Sequence, residues 1–495
     1  MNLLKKIVLS KECLSLFLLL LGFSLLRLPS LFEPNWYGDE GIYQVLGHAI
    51  REGRTLYSGI WDNKPPLLYL TYALVNANQF WIRFLSYVAG LLAVYVFYLL
   101  SKRLFTNTLS SYLSTGMFAM LFATPTTEAN IANAENFMLV FLLAAGLLVF
   151  SKTTNTLQYK NQRNLLVAGI LVAIAFLYKI VAIFDFASFF LFLLFLSLPK
   201  RISLQKDKVV NKIRPALVFA IGFLLPILFT AAYFLFVGAF LPFLSATFTN
   251  NVSYVGYKNY FLIPQGLLIT KLLILGGFVF FLFRNRHSLP KTTLFILLWF
   301  AFSLFNTFFS QRPYTHYVLV VITSLSYLFG LIVTEKKYRR FTLALLVIGG
   351  FAILITFGKV NPIRVFGYYG NFLSYISGQK STVSYQSFFD NDVPRDYEIA
   401  QFLSSHLRKN KEKIIFIWGN TAQIYTLSGT LPPGRFTVAY HISSTQAQIE
   451  TQQAIDQKKP QFIVLLPDSP TPQISLSAYA YKATIGNAAI YERAL

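Results

Sequence analysis

Long uncharged apolar runs recur through the first 357 residues of this 495-residue chain. Each run is close to the roughly 20 residues that a helix needs to cross about 30 Å of hydrocarbon. Of all residues, 55% are hydrophobic and 13% are charged, and the mean hydropathy is +0.53. Because only helices and closed barrels satisfy their backbone polar groups in lipid, the runs predict a polytopic α-helical membrane protein.

The net charge of +23 does not indicate a nucleic-acid-binding protein. Basic residues cluster in short segments between the apolar runs, which is the pattern of cytoplasmic loops under the positive-inside rule. The one cysteine, Cys13, excludes an intramolecular disulfide and a cysteine-based zinc site. The basic start and first apolar run lack a small-residue cleavage site, so we interpret them as an uncleaved first span.

Placing every basic cluster in the cytoplasm predicts eleven spans in the plasma membrane. They fall near residues 12–30, 80–101, 108–124, 135–151, 164–179, 181–198, 215–237, 262–283, 292–310, 317–334 and 341–357. The N-terminus is then cytoplasmic and the C-terminal tail extracytoplasmic. The fifth and sixth spans are joined by a turn at Lys179 on the outer side.

Three parts are expected along the chain. Residues 1–357 form a transmembrane catalytic domain with an extracytoplasmic loop at 31–79. Residues 358–393 are aromatic and glycine-rich, which predicts a membrane-proximal connector. Residues 394–495 are expected to form a small extracytoplasmic α/β domain.

Alternating patterns in the tail support that α/β prediction. Strand patterns cover 413–418 and 461–466, and helix patterns cover 421–428 and 444–457. Strand–helix–strand alternation is typical of a sheet with parallel strands. The tail is therefore predicted to contain a small parallel-type sheet.

Polar side chains gather in the loops that this topology places outside. Ionisable groups at membrane depth are costly and usually line a cavity or pathway. The set comprises Asp39, Glu40, Tyr43, Arg51, Asp62, Lys64, Glu128, Asn130, Asn133, Glu135, Asn136, Lys179, Arg312, His316 and Tyr317. Plain structural explanations exist as well: Glu128 can be solvated, Lys179 can extend to the membrane surface, and His316 can be a hydrogen-bonded residue of the bundle.

The order of these residues resembles the GT-C superfamily of glycosyltransferases that use polyprenyl-phosphate sugars. The nearest branches are the protein mannosyltransferase-like proteins and the lipid A aminoarabinose transferases. The resemblance covers about residues 1–360, and the tail is similar to small extracytoplasmic domains of many such proteins. The segments that carry it are GDEGIY (38–43), LYSGIWDNKPPLLY (56–69), NAENFML (133–139), Lys179 and RPYTHY (312–317).

The resemblance implies an inverting glycosyltransferase. Such an enzyme moves a monosaccharide from a polyprenyl-phosphate donor to a hydroxyl of a glycan, lipid or protein on the extracytoplasmic face. Asp39, with Glu40 as its companion, matches the catalytic acid of the first outer loop, and a carboxylate there can accept the proton of the attacking hydroxyl. The implied phosphate-binding cations are Lys64, Lys179 and Arg312, and the implied substrate-binding residues are Tyr43, Asn133, Glu135, His316 and Tyr317.

Metal dependence differs among GT-C branches, and we favour a metal-independent enzyme. If a divalent cation were used, Asp39 and Glu135 offer oxygen ligands suited to Mg²⁺ or Mn²⁺.

Two differences from the named branches argue against assigning their substrate specificity to this chain. The chain has no insert that would hold the lumenal β-trefoil domain of the protein mannosyltransferases, and Asn63 stands where the aminoarabinose branch has an acid before Lys-Pro-Pro.

Two other classes of function are compatible with the residues. A transporter or flippase for a lipid-linked substrate would also be polytopic, but the acids gather at one face and no paired broken helices are visible. A membrane scaffold that acts through its tail is the third class. Its tail carries no dinucleotide fingerprint, because Gly419 and Asn420 after a strand fall far short of that motif.

Overall fold

The computed structural model describes residues 11–150, 162–198, 206–251, 259–260, 262–310, 312, 314–357, 362–408, 413–470, 472 and 474–494. The first ten helices are α1 (Lys11–Arg27), α2 (Gly38–Arg51), α3 (Pro66–Leu74), α4 (Gln79–Leu104), α5 (Thr108–Ala123), α6 (Ala134–Val149), α7 (Gln162–Tyr178), α8 (Ile183–Ser197), α9 (Lys206–Phe236) and α10 (Phe240–Leu244). They are followed by α11 (Gly266–Asn285), α12 (Lys291–Thr307), α13 (Leu319–Thr334), α14 (Arg339–Phe357), α15 (Pro362–Ile376), α16 (Thr382–Ser387), α17 (Val393–His406), α18 (Gln423–Ser428) and α19 (Thr445–Lys458).

A helix lies at each of the eleven predicted spans, which confirms the predicted polytopic helical fold. Within the described ranges, seven helical segments are long and apolar enough to cross a membrane. These segments are 12–32, 79–104, 180–197, 213–236, 266–285, 315–334 and 336–356. The other four predicted spans correspond to the shorter helices α5, α6, α7 and α12.

The chain divides into two compact units. The first unit comprises Met1–Leu28, Leu85–Ala232 and Asn251–Val365. The second comprises Pro29–Phe84, Tyr233–Asn250 and Phe366–Leu495. Most of the loop predicted at 31–79 and the C-terminal tail therefore belong to the same unit, although the apolar helices separate them in the sequence.

In the first unit, α12 and α13 are central helices. Trp299 on α12 is fully buried, and its indole Nε1 donates to the Asp185 carboxylate of α8 at 2.7 Å. Tyr327 on α13 stacks on Phe97 of α4 with ring centroids 4.1 Å apart. By contrast, only 11% of the apolar stretch is buried in each of α11 and α14, as in helices that face lipid.

The tail forms a mixed sheet in the order β1-β2-β4-β3. Its strands are β1 (Phe416–Trp418), β2 (Phe462–Leu465), β3 (Tyr479–Ile485) and β4 (Ala488–Arg493). β1 pairs with β2 in parallel, in register from Phe416 opposite Ile463, so the predicted α/β tail with a parallel strand pair is confirmed. The antiparallel β3–β4 hairpin was not predicted, because most of β3 is polar or exposed.

Local signals explain the tail helices. The Ser444 hydroxyl accepts a hydrogen bond from the Ala447 N–H at 3.2 Å, which caps α19. Gly429 ends α18 in the left-handed conformation, with φ of +64°. Helices α15 and α16 lie within the predicted connector 358–393, whose place along the membrane remains a prediction.

Candidate active site

The N-terminus of α2 presents the two adjacent acids of the first loop. Asp39 and Glu40 both lie in its first turn, where the positive end of the helix dipole favours carboxylates. Their environments differ sharply. The Asp39 side chain is 35% exposed, whereas the Glu40 side chain is 2% exposed. Only Asp39 is therefore open to a substrate from solvent.

Glu40 belongs to a buried ion network centred on Arg83. One guanidinium nitrogen of Arg83 contacts Glu40, and the other donates to Glu33 Oε2 at 3.1 Å. Glu33 also accepts hydrogen bonds from the Trp36 indole at 2.8 Å and the Tyr368 hydroxyl at 2.7 Å. The buried ion pair between Glu40 and Arg83 therefore ties the first turn of α2 to α4.

Lys64 lies between two carboxylates. Its Nζ is 3.7 Å from Asp39 Oδ2 and 3.6 Å from Asp62 Oδ2. Tyr43 completes the cluster: its hydroxyl donates to Asp39 at 3.1 Å, and Lys64 Nζ lies 4.8 Å from the centre of its ring. Asp39, Tyr43 and Lys64, predicted separately from sequence, thus lie together.

Tyrosine hydroxyls fix the backbone of Lys64 on both sides. The Lys64 N–H donates to the Tyr69 hydroxyl at 3.0 Å, and its carbonyl accepts from the Tyr57 hydroxyl at 2.8 Å. The Tyr69 hydroxyl in turn donates to Asp62 at 2.7 Å. Pro66 then starts α3 at a position where a proline costs no hydrogen bond.

His441, from the tail, faces the same cluster. Its Nε2 is 3.7 Å from Asp62 Oδ1, and both side chains are 4% exposed. Burial lowers the pKa of His441 to about 4, so this imidazole is neutral at pH 7. Burial raises the pKa of Asp62, but the Lys64 charge, His441 and hydrogen bonds from Tyr69 and the Asn63 backbone together lower it more, and the pKa lies below its ordinary 3.8. Lys64 is therefore the cation that neutralises Asp62.

A second cluster of predicted residues lies in the first unit. Lys179, in the turn between α7 and α8, contacts the Glu135 carboxylate at the start of α6. The Lys179 Nζ also lies 4.8 Å from the centre of the Tyr317 ring. Asn133 precedes α6 and is 2% exposed, and its Nδ2 has no hydrogen-bond partner among the described residues. This cluster therefore combines a paired lysine with an unused amide donor.

Glu128 joins the same unit's RPYTHY segment. It accepts a hydrogen bond from the Thr315 hydroxyl at 2.6 Å and lies 2.8 Å from His316 Nδ1. Its backbone is left-handed, with φ of +57°, which is uncommon for a residue other than glycine. The plain interpretation of Glu128 as a merely solvated acid does not fit these contacts. Arg312 is half-buried, and its backbone N–H donates to Ser310 Oγ at 3.2 Å.

The two clusters belong to different units. Asp39, Tyr43 and Lys64 lie in the second, and Asn133, Glu135, Lys179, Arg312, His316 and Tyr317 lie in the first. Across the described part of the chain, no group of three or more His, Cys, Asp and Glu side chains is arranged to hold a metal ion. A divalent cation shared by Asp39 and Glu135 stays a prediction.

The sequence analysis did not identify two residues that hold the acids of the first loop. His441 and Arg83 carry no motif and lie far along the chain from their partners. A buried histidine in the tail gives no local signal of its partner. Arg83 could have been suspected, because an arginine near the start of an apolar span needs a counter-ion.

Comparisons with known proteins agree with the helical architecture. The sequence model of the dolichyl-phosphate-mannose-protein mannosyltransferase family matches residues 64–229, about a third of the chain. No curated protein matches the chain significantly.

Among solved structures, the chain is similar to ArnT from Cupriavidus metallidurans in the apo state, with 14% identity and a TM-score of 0.56 over 97% of this chain and 98% of that chain. ArnT bound to undecaprenyl phosphate gives 14% identity and a TM-score of 0.55, over 96% and 97% of the two chains. The apo oligosaccharyltransferase of Archaeoglobus fulgidus gives 12% identity and a TM-score of 0.47, over 92% and 70%.

The family match and the full-length likeness to ArnT overlap in the membrane helices. The match begins at Lys64, inside the loop that carries the candidate acid, and continues through the following spans. The likeness to ArnT extends over the membrane helices and the tail alike. The chain therefore shares the fold of ArnT over nearly its whole length, and a third of it matches the sequence model of the dolichyl-phosphate-mannose-protein mannosyltransferase family.

Proposed function

We propose that this protein is an inverting glycosyltransferase that uses a polyprenyl-phosphate monosaccharide. The acceptor is a hydroxyl of a glycan, lipid or protein on the extracytoplasmic face of the plasma membrane. Two findings support the donor class: the chain shares the fold of ArnT, which has been solved with undecaprenyl phosphate, and part of it matches a dolichyl-phosphate-mannose family.

The observation that carries the proposal is the environment of Asp39. Among the acids of its cluster it is the exposed one, since Asp62 is 4% exposed and Glu40 is 2% exposed. The Tyr43 hydroxyl and Lys64 Nζ orient its carboxylate from the protein side. A held, accessible carboxylate has the properties required of a general base.

The proposed reaction is a single displacement at the anomeric carbon. Asp39 accepts the proton of the acceptor hydroxyl while the acceptor oxygen forms a bond to that carbon. The bond between the anomeric carbon and the phosphate oxygen breaks, and polyprenyl phosphate leaves with the electron pair. The configuration inverts, and the leaving phosphate needs charge neutralisation and no proton.

Lys179 and Arg312 are our candidates for binding the donor phosphate. Lys179 is 15% exposed and already pairs with Glu135, so it is held ready without being exposed to bulk solvent. Arginine suits phosphate through its planar fork of donors. Lys64 was predicted for the same role, but one lysine charge faces the two carboxylates of Asp39 and Asp62. Its contacts favour support of Asp39.

The remaining candidates would bind the sugar or the acceptor. Tyr43 contacts Asp39 directly, and Asn133 offers a buried amide donor beside α6. Glu135 and Tyr317 contact Lys179 in the first unit, and His316 lies next to Tyr317 with ring centroids 4.8 Å apart. Aromatic rings next to hydrogen-bonding groups are suited to carbohydrate hydroxyls and faces.

The test is sugar transfer in membranes supplied with a panel of radiolabelled polyprenyl-phosphate monosaccharides. We expect Asp39→Asn to lower transfer by a factor of about 100 to 10,000, the usual range for losing a general base. The matched control is Glu52→Gln, an exposed acid that follows the same helix. Thermal unfolding of both purified variants should resemble that of the wild type.

Two results would contradict the proposal. Equal transfer by wild type and Asp39→Asn would remove Asp39 as the base. No transfer from any donor, with cell-envelope acceptors present, would favour the transporter interpretation. Transfer in excess EDTA is expected to persist, and its loss with recovery on adding Mg²⁺ or Mn²⁺ would establish metal dependence.

A further inference from the structure

The C-terminal tail holds the loop residue that precedes Asp62. The Trp61 N–H donates to the Arg435 carbonyl at 2.9 Å. The Trp61 indole packs edge-on against Phe436 and His441, with ring centroids 5.8 and 4.9 Å apart. One short tail segment, Arg435–His441, therefore contacts both the backbone and the ring of Trp61.

The tail segment is itself fixed. The Arg435 guanidinium forms a two-pronged ion pair with Glu450 on α19, at 2.7 and 2.8 Å. Arg54, in the first loop, donates to the Gly434 carbonyl at 3.1 Å. Because this segment is held both by α19 and by the first loop, it can fix the position of the Trp61 side chain.

The last residue of this segment, His441, lies next to the cluster of charged side chains formed by Asp62, Lys64 and Asp39. His441 faces Asp62 at 3.7 Å, Asp62 faces Lys64 at 3.6 Å, and Lys64 faces Asp39 at 3.7 Å. The first two side chains are almost fully buried, and Asp39 is the exposed end of the series. Each member thus limits the positions open to the next.

We propose that the tail is part of the active-site scaffold, and that His441 is a positioning residue that acts through Asp62 and Lys64 on Asp39. The inference rests on the proposed function for its catalytic meaning. His441 does not touch the reacting atoms in this scheme. Its imidazole gives the Asp62 carboxylate a polar neighbour on the side away from Lys64, so that Lys64 stays between Asp62 and Asp39.

The test separates the polar role of His441 from the packing role of its ring. His441→Phe keeps an aromatic ring against Trp61 but removes the nitrogen that faces Asp62. His441→Gln keeps a polar group there but loses the ring. We expect the kcat of transfer to fall at least tenfold in His441→Phe, with the donor KM within about twofold of wild type. We expect His441→Gln to retain more of the wild-type kcat than His441→Phe.

The matched control is His406→Phe, an exposed histidine of the same unit. It should transfer sugar at the wild-type rate. A His441→Phe enzyme with wild-type kcat would overturn the proposal. An activity order in which Phe equals or exceeds Gln would also overturn it, because that order is what a purely packing role predicts.

A second measurement needs no substrate. Thermal unfolding of Asp62→Asn, His441→Phe and the double variant forms a cycle. We expect the double variant to lose less melting temperature than the sum of the two single losses. Additive losses would refute the coupling between His441 and Asp62. If the wild type transfers no sugar from any donor, the proposed function fails, and this cycle still decides whether the tail holds the loop.

Discussion

At the residue scale, Asp39 and Glu40 show how adjacent identical charges acquire different roles. Consecutive residues on an α-helix project about 100° apart around its axis. One acid consequently faces the Lys64 side of the loop, and the other faces buried Arg83. The sequence motif contains both acids. Asp39 is the candidate base because its side chain is exposed, whereas Glu40 is buried against Arg83.

The first residue-scale prediction concerns Arg83. Arg83→Ala would leave Glu33 and Glu40 buried without their cation, and breaking such a buried network typically costs about 3 to 5 kcal/mol. We expect a large loss in the free energy of unfolding, measured by thermal or denaturant melts in detergent. Arg83→Lys should restore only part of it, because a lysine cannot contact two carboxylates with a planar fork. Arg408→Ala, at an exposed arginine, should leave stability unchanged; equal melts for Arg83→Ala and Arg408→Ala would refute the network's importance.

The second residue-scale prediction concerns pH. The pKa of His441 falls from 6.5 to about 4 on burial. The unfolded chain therefore takes up a proton below pH 6.5 while the folded chain does not, and stability falls as the pH drops towards 4. Burial raises the pKa of Asp396 from 3.8 to about 6, so its contribution to stability is lost as the pH rises through that range, in the opposite sense.

A difference measurement isolates the histidine. Relative to wild type, His441→Phe should gain stability as the pH is lowered from 6.5 to 4, by up to about 3 kcal/mol at about 1.4 kcal/mol per pKa unit. Denaturant unfolding at both pH values gives the comparison. A constant difference between the two proteins across this range would show that His441 is protonated equally in the folded and unfolded chains.

At the element scale, α7 and α9 cross at two glycines. A Cβ on Gly169 would lie 2.1 Å from the Phe219 carbonyl oxygen, and one on Gly222 would lie 2.1 Å from the Leu166 carbonyl oxygen. Small residues at such crossings let membrane helices pack backbone against backbone. The crossing therefore depends on the absence of side chains at both positions.

The prediction at this scale is that Gly169→Ala separates the two helices. Overpacking of this kind typically costs about 1 to 3 kcal/mol, and here the clash is with backbone that cannot rotate away. We expect a lower melting temperature and a smaller yield of monodisperse protein in detergent. Gly276→Ala on α11, where no atom lies within 4 Å of the new Cβ, should behave as wild type. Indistinguishable melts would exclude the close crossing.

At the scale of the whole molecule, the positive-inside pattern predicts the orientation of the chain. With Cys13→Ser as background, Ser477→Cys places a thiol on the exposed surface of the tail, and Lys337→Cys places one in a basic loop. We expect a membrane-impermeant maleimide to label the first variant in intact cells and to label the second only after lysis. The reverse pattern would invert the predicted topology.

The amino-acid sequence by itself determined the class of the molecule. The lengths of the apolar runs predicted eleven helices, and strand patterns predicted β1 and β2, because both signals depend on residues close together in the chain. The GDEGIY and Lys-Pro-Pro motifs identified Asp39, Tyr43 and Lys64 as candidates. The structure places all three in one cluster.

Only the tertiary structure decided which groups pair. Glu40 lies against Arg83, Glu128 against His316, and Asp62 against His441 of the tail. No local pattern encodes these partnerships, since each joins segments that meet only after the helices and the sheet have packed. The same packing brought the first loop and the C-terminal tail into one unit. A charged residue in an apolar sequence indicates that a partner is needed. Which residue becomes that partner depends on burial and distance, and both are set by the fold.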